Sequence, residues 1–132
     1  MAQQLAQRRA RIAAGERPLG WKLGFGAPAA MQRFGIGTPL VGYLMHGGVT
    51  ADGATVSLAG WTRAVVEPEI ALVMGSDLAA GADRTAAGAA ISGIALALEL
   101  ADLTFAPEDV EAVLAANIYQ RGIVLGPVDA TR

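Results

Sequence analysis

The 132-residue chain contains no cysteine. That excludes a disulfide scaffold, a zinc–thiolate site and a thiol nucleophile, and it fits a reducing, cytoplasmic compartment. Histidine is nearly absent too, so a bound metal must sit on oxygen or on the single His46. Excess charge is small: 10 Lys+Arg against 12 Asp+Glu leave a net charge of −2. Sequence-independent nucleic-acid binding draws its affinity from Lys and Arg neutralising phosphates, so no nucleic-acid partner is expected. Long apolar runs are missing as well. Of the uncharged stretches, 34–51 is broken by Pro39 and five glycines, and 85–98 has only 14 residues, against the ~20 that cross a bilayer. No membrane partner is expected. There is no P-loop and no nucleophile elbow, and Gly20-x-x-x-Gly24-x-Gly26 lacks the spacing of a dinucleotide fingerprint.

What is present is hydrophobic, at 53% of residues with a mean hydropathy of +0.41. This excludes a disordered tail, and the length suits one core, so 1–132 reads as a single domain. The Arg-rich segment Met1 to Arg17, whose one acid is Glu16, superficially resembles a transit peptide. Leu5, Arg8/Arg9 and Ile12 at helical spacing, closed by Gly15 to Pro18, predict instead an amphipathic N-terminal helix within 1–17.

Beyond Pro18 the chain turns to glycine-punctuated β patterns. Residues 20–26 alternate, with Trp21, Leu23 and Phe25 on one face and Lys22, Gly24 and Gly26 on the other. A lysine among glycines has open volume around its ammonium, which suits solvent or an anion. Residues 27–34 read as a short helix closed by Gly35, 40–46 and 55–58 as strands, and 65–74 as the clearest strand. An Ala-rich helix follows over 83–92. Residues 94–100 alternate large and small and read as strand, 107–114 as a helix opened by Pro107, and 122–126 as a final strand.

Chemistry concentrates in the strand at 65–74. Glu67 and Glu69, two apart, leave the same face. Their mutual repulsion is relieved either by solvent, as ordinary surface residues, or by a divalent cation with hard oxygen ligands. Pro68 between them cannot donate to a ladder and marks an edge or a bulge. If 94–100 is a strand, Glu99 projects among Ala95, Ala97 and Ala101, into space left by small neighbours. If it is a helix, Glu99 and Asp102 share a polar face. His46, beside a turn and without a suitably spaced serine or acid, reads as structural or exposed.

Five segments in order resemble the fumarylacetoacetate hydrolase superfamily, in its 2-keto-4-pentenoate hydratase-like branch. They are Gly20-Trp21-Lys22-Leu23-Gly24, the 39–44 segment Pro-Leu-Val-Gly-Tyr-Leu, the 66–78 segment around Glu67-Pro68-Glu69, the 97–102 segment around Glu99, and Ala116-Asn117-Ile118 with Arg121 and 124–126. The resemblance implies an α+β, β-rich mixed β-roll or sandwich with short flanking helices, its hydratase-like metal-binding region at 20–126. It implies that Glu67, Glu69 and Glu99 bind Mg²⁺ or Mn²⁺, that Lys22 is catalytic, and that Asp102 and Asn117 contact substrate. The activity implied is that of a lyase or hydratase of a small 2-oxo acid, as in aromatic catabolism, working through a metal-stabilised enolate in a homo-oligomer.

Three positions depart from the family pattern. Leu40 stands where hydratases carry an acid, the Asp-x-Arg after the third Glu reads Asp102-Leu103-Thr104, and the Asp-Asn pair reads Ala116-Asn117. Decarboxylation, tautomerisation and C–C hydrolysis use the same metal chemistry and stay open beside hydration. Family members are longer, so the C-terminal part of the fold is expected to be absent and the β-fold partial, with unpaired edges. That leaves a rival of another class, a non-catalytic fragment or partner-dependent subunit. A third reading is a small-molecule module that binds an anion through Lys22.

Overall fold

The computed structural model describes residues 1–130. Among them the order is α1 (Ala2–Ala13), β1 (Pro18–Gly24), α2 (Pro28–Phe34), β2 (Leu40–Met45), β3 (Val49–Thr50), β4 (Ala64–Met74), α3 (Arg84–Ala90), β5 (Ile91–Asp102), α4 (Val110–Ala115) and β6 (Gln120–Leu125). The architecture is mixed α+β. β1 and β2 form an antiparallel pair, and a four-stranded sheet runs β3-β6-β5-β4, with β3 parallel to β6 and the other pairs antiparallel.

Local chemistry explains most of these boundaries. Gly35 closes α2 at φ 62°, a left-handed conformation that costs glycine little. Asp83 and Asp109 cap α3 and α4, accepting from Ala86 N–H and from Glu111 and Ala112 N–H respectively. Asp109 is thus the cap, and α4 starts at Val110, later than the proline at 107 suggests.

β5 resolves the ambiguity at 94–100 in favour of strand. Ala95, Ala97, Glu99 and Ala101 face inward and are buried, while Ile94, Leu96 and Leu98 face outward. Alanines on the inner face let the β1–β2 pair approach, and the core lies between the two sheets. Leu44 of β2 packs with Ala97 of β5 and Ile123 of β6. A second cluster joins Leu40, Ala101, Val113, Leu114, Ile118 and Tyr119.

The structure corrects the sequence reading in one further place and adds to it in two. Residues 55–58 form no strand; Val49–Thr50 pairs with β6 instead. Strand propensity without an available sheet edge is not enough. The N-terminal helix forms, but its docking residue is Gln4, 2% exposed, while Ile12 stays on the surface. Gln4 Nε2 donates to Val41 O and to Asn117 Oδ1, and Arg8 lies 4.6 Å over the Trp21 ring. Lastly, the large side chains of β1 are its outward side: Trp21 and Leu23 are exposed, and Lys22 points in.

The outer face of β4 and β5 is an open apolar row. Val66, Ile70, Leu72 and Met74 stand beside Leu98, Leu96 and Ile94, and Leu96 is 76% exposed.

Candidate metal centre

The ladder between β4 and β5 sets Glu67 directly opposite Glu99, and Glu69 opposite Ala97. Period-two geometry then brings three carboxylates to one face. One oxygen from each of Glu67, Glu69 and Glu99 lies within 4.8 Å of the others. Glu67 and Glu69 are exposed and Glu99 is buried, so two solvated acids stand beside a desolvated one. Pro68 costs nothing here, because β4 is the edge of its sheet among the described residues.

The Glu99 carboxyl is pushed up from its ordinary range by burial. The Lys22 ammonium opposes this, and the nearby charges of Glu67 and Glu69 add to it. Lys22, reaching over from β1, forms a buried ion pair with Glu99 and donates a second hydrogen bond to Ile118 O at 3.1 Å.

The glycines around Lys22 do not leave it in open space. Lys22 pairs across the ladder with Gly42, where a Cβ would come within 2.8 Å of the lysine Cγ and 3.3 Å of Asn117 Oδ1. At Gly24 a Cβ would come within 2.9 Å of Ile118 Cγ2. The bare face of β1 and β2 is a seat for the turn at Asn117–Tyr119.

That turn is left-handed at three successive non-glycine residues, with φ of 51° at Asn117, 53° at Ile118 and 60° at Tyr119. For a β-branched isoleucine this is a costly conformation, and Asn117 holds it. Its Oδ1 accepts from Tyr43 N–H and Gln4 Nε2, and its Nδ2 donates to Tyr43 O. The Asn117 amide is therefore engaged by protein, and it acts on the cleft through the turn it fixes.

Asp102 is also committed. It sits past the β5–β6 register shift, 1% exposed, and does not line the cleft. Its Oδ1 accepts from Thr62 and Arg63 N–H and its Oδ2 from Arg121 Nη2 at 3.2 Å. Burial pushes the carboxyl up, but Arg63 N–H, the Arg121 guanidinium and Thr62 N–H outweigh that and hold it below its usual range. This anchors the segment leading into β4. His46 is exposed, with Nε2 3.5 Å from Arg17 Nη2, away from the acids.

An open cleft of about 450 Å³ runs over the acids. Lys22, Glu67, Glu69 and Glu99 line its polar part, and Phe25, Leu103, Pro107, Ile118 and Tyr119 its apolar wall. Leu40 is buried in the core and is not part of the lining. A site of this size, with a few converging polar groups, suits a small molecule. Three hard oxygen donors match the donor set of Mg²⁺ or Mn²⁺. Two features of the cleft escape sequence reading: the Ile118 carbonyl, which any residue supplies, and Tyr119, whose turn carries no glycine to announce it.

No family model matches the chain. Among curated proteins it is 31% identical over 121 residues to a 4-oxalocrotonate decarboxylase of Pseudomonas sp., covering 88% of this chain and 46% of that protein. It is 40% identical over 70 residues to a 2-keto-4-pentenoate hydratase of Paraburkholderia phymatum, covering 53% of this chain and 27% of the hydratase. Among solved structures it resembles 4-oxalocrotonate decarboxylase from Pseudomonas putida G7 in complex with magnesium and adipate. The TM-score is 0.87 at 26% identity, over 96% of this chain and 50% of that one. The same enzyme complexed with calcium and acetate gives a TM-score of 0.86. The chain spans about half the length of the curated decarboxylase and of its structural neighbour, and about a quarter of the hydratases. No helix among the described residues is long and apolar enough to cross a membrane.

Proposed function

We propose that the chain, similar to a 4-oxalocrotonate decarboxylase and to 2-keto-4-pentenoate hydratases, is a member of the fumarylacetoacetate hydrolase superfamily and a divalent-metal-dependent enzyme acting on a small 2-oxo acid. The observation that carries this reading is the convergence of Glu67, Glu69 and Glu99 on one sheet face, with Lys22 beside them. In this reading the three carboxylates hold Mg²⁺ or Mn²⁺, the metal-binding region is 20–126 within one domain, and the fold is the β-roll of the superfamily in part. Magnesium and calcium in the structural neighbours support a divalent ion. When bound, the ion supplies a Lewis acid that polarises the keto group of a chelated 2-oxo acid.

The chain's own residues divide the remaining work. Glu67 and Glu69, exposed beside the buried Glu99, supply ligand oxygens. Lys22 neutralises Glu99 while the site is open. Once Glu99 turns to ligation, the ammonium, still held by Ile118 O, is free to balance the substrate carboxylate or to carry a proton at Nζ. Hydration is the leading reading and decarboxylation its alternative: hydratases and a decarboxylase are both among the relatives, and Leu40 stands where hydratases carry an acid. Asp102 and Asn117 enter as positioning residues, since their polar atoms are already occupied.

The test is an assay of oxaloacetate decarboxylation and 2-hydroxypenta-2,4-dienoate hydration with and without Mg²⁺. Turnover that disappears with chelator is expected. Silence on every 2-oxo acid tested, with metal bound, favours a non-catalytic, partner-dependent chain. A homo-oligomer belongs to the same proposal, with a second copy covering the apolar row on β4 and β5.

A further inference from the structure

α1 meets the rest of the chain through a polar contact. Gln4 is its buried residue, and the amide nitrogen sends two hydrogen bonds away from the helix: Nε2 donates to Val41 O at 2.9 Å and to Asn117 Oδ1 at 3.0 Å. An apolar side chain at that position would anchor a helix without the cost of desolvating an amide. What the amide adds is direction, because a hydrogen bond fixes the group it is made to.

That group belongs to the turn behind Lys22. Asn117 Oδ1 accepts from Tyr43 N–H at 2.9 Å as well as from Gln4, while its Nδ2 donates to Tyr43 O at 2.8 Å. The backbone of Asn117 and Ile118 is left-handed, with φ of 51° and 53°, and such a conformation persists only where its surroundings hold it. The Ile118 carbonyl then accepts from Lys22 Nζ at 3.1 Å. Three successive residues of β2 gather these contacts. Val41 takes Gln4, Tyr43 takes Asn117, and Gly42 between them leaves the space that the Lys22 stem and Asn117 Oδ1 share. Once Glu99 turns to a cation, Ile118 O is the contact left to the ammonium among the described residues.

Building on the metal-centre reading, we propose that Gln4 is a positioning residue for Lys22: from α1 it holds, through Asn117 and the left-handed turn, the Ile118 carbonyl that aims the ammonium into the cleft. α1 thereby belongs to the working site although no residue of it lines the cleft.

Lys22 is the sole lysine of the chain, so peptide mass spectrometry reads its acylation separately from every other amine. The experiment loads the full chain with Mg²⁺, follows that binding by calorimetry, and then measures the Lys22 acylation rate in wild type, Gln4→Met and Arg8→Ala. Gln4→Met keeps the side-chain length and loses both donated bonds, whereas Arg8→Ala frees α1 from the Trp21 ring and leaves Asn117 untouched. Expected is acylation about three to ten times faster in Gln4→Met, the wild-type rate in Arg8→Ala, and wild-type Mg²⁺ affinity in both. Equal rates in wild type and Gln4→Met overturn the inference. So does a matching rise in Arg8→Ala, which marks a general loosening of α1. Should Gln4→Met fail to fold, Gln4→Leu carries the same comparison, and failure of both assigns Gln4 a purely structural role and overturns the inference. A wild type that does not bind Mg²⁺ overturns the metal-centre reading and this inference with it, and is seen before any acylating reagent is added.

Discussion

Lys22 on β1 and Glu99 on β5 form a buried ion pair that ties the two sheets together at the floor of the cleft. The pair has two consequences: it neutralises the most desolvated of the three acids, and it occupies a carboxylate that a cation would also claim. Lys22 and a metal ion therefore compete for Glu99.

Replacing Lys22 with methionine leaves Glu99 buried beside two other carboxylates. Breaking a buried pair from one side costs about 3–5 kcal/mol, so Lys22→Met is expected to unfold at lower denaturant. Mg²⁺ should then stabilise the variant more than wild type, because it supplies the missing positive charge. Denaturation with and without 10-fold graded Mg²⁺ checks this. A smaller Mg²⁺ response in the variant than in wild type contradicts the competition.

Asn117→Ala strips two buried backbone groups of Tyr43 of their partners and removes a residue type that tolerates the left-handed conformation. A loss of about 2–4 kcal/mol in stability without any ligand is expected. If the main effect were instead on substrate affinity at unchanged stability, Asn117 would be a substrate contact and not a positioning residue.

Asp102 gives a pH dependence of known sign. Its carboxyl is held below the ordinary range in the folded chain, so the stability it contributes is present above the unfolded pKa and is lost as pH falls through the folded one. Asp102→Asn, which cannot ionise, is expected to flatten the fall in stability as the pH drops below about 4, the unfolded value. Chemical denaturation of both proteins across that range measures it. Identical slopes would mean that the Thr62, Arg63 and Arg121 contacts do not favour the ionised form.

The apolar row on β4 and β5 is larger than the scattered apolar residues a monomer normally exposes. Leu96→Glu, at its most exposed point, should shift sedimentation toward monomer while leaving Mg²⁺ binding intact. A wild-type chain that sediments as a monomer at tens of micromolar contradicts the second-copy proposal.

Much of the centre is legible in the sequence because strand periodicity carries it. Glu67 and Glu69 share parity in a strand whose apolar content is unmistakable, and the alanines around Glu99 announce a strand face that something must approach. The Gly42 and Gly24 positions are legible only as gaps. Sequence alone cannot say that the filling is Ile118 and Asn117, since that turn is held by a contact 74 residues away in the chain, to Tyr43. A β-branched residue at positive φ has no local signature, so Tyr119 and the Ile118 carbonyl go unseen. The docking of α1 is hidden for a related reason: the helix binds through Gln4, a polar residue that an amphipathic pattern assigns to solvent.

The central claim is that Glu67, Glu69 and Glu99 form one cation site. Titrating Mg²⁺ into wild type and Glu69→Ala by calorimetry tests it most directly, because Glu69 is exposed and its loss should leave the fold intact. A single saturable site in wild type, weakened at least about tenfold in the variant, is the predicted result. Equal heats in the two proteins would contradict the account.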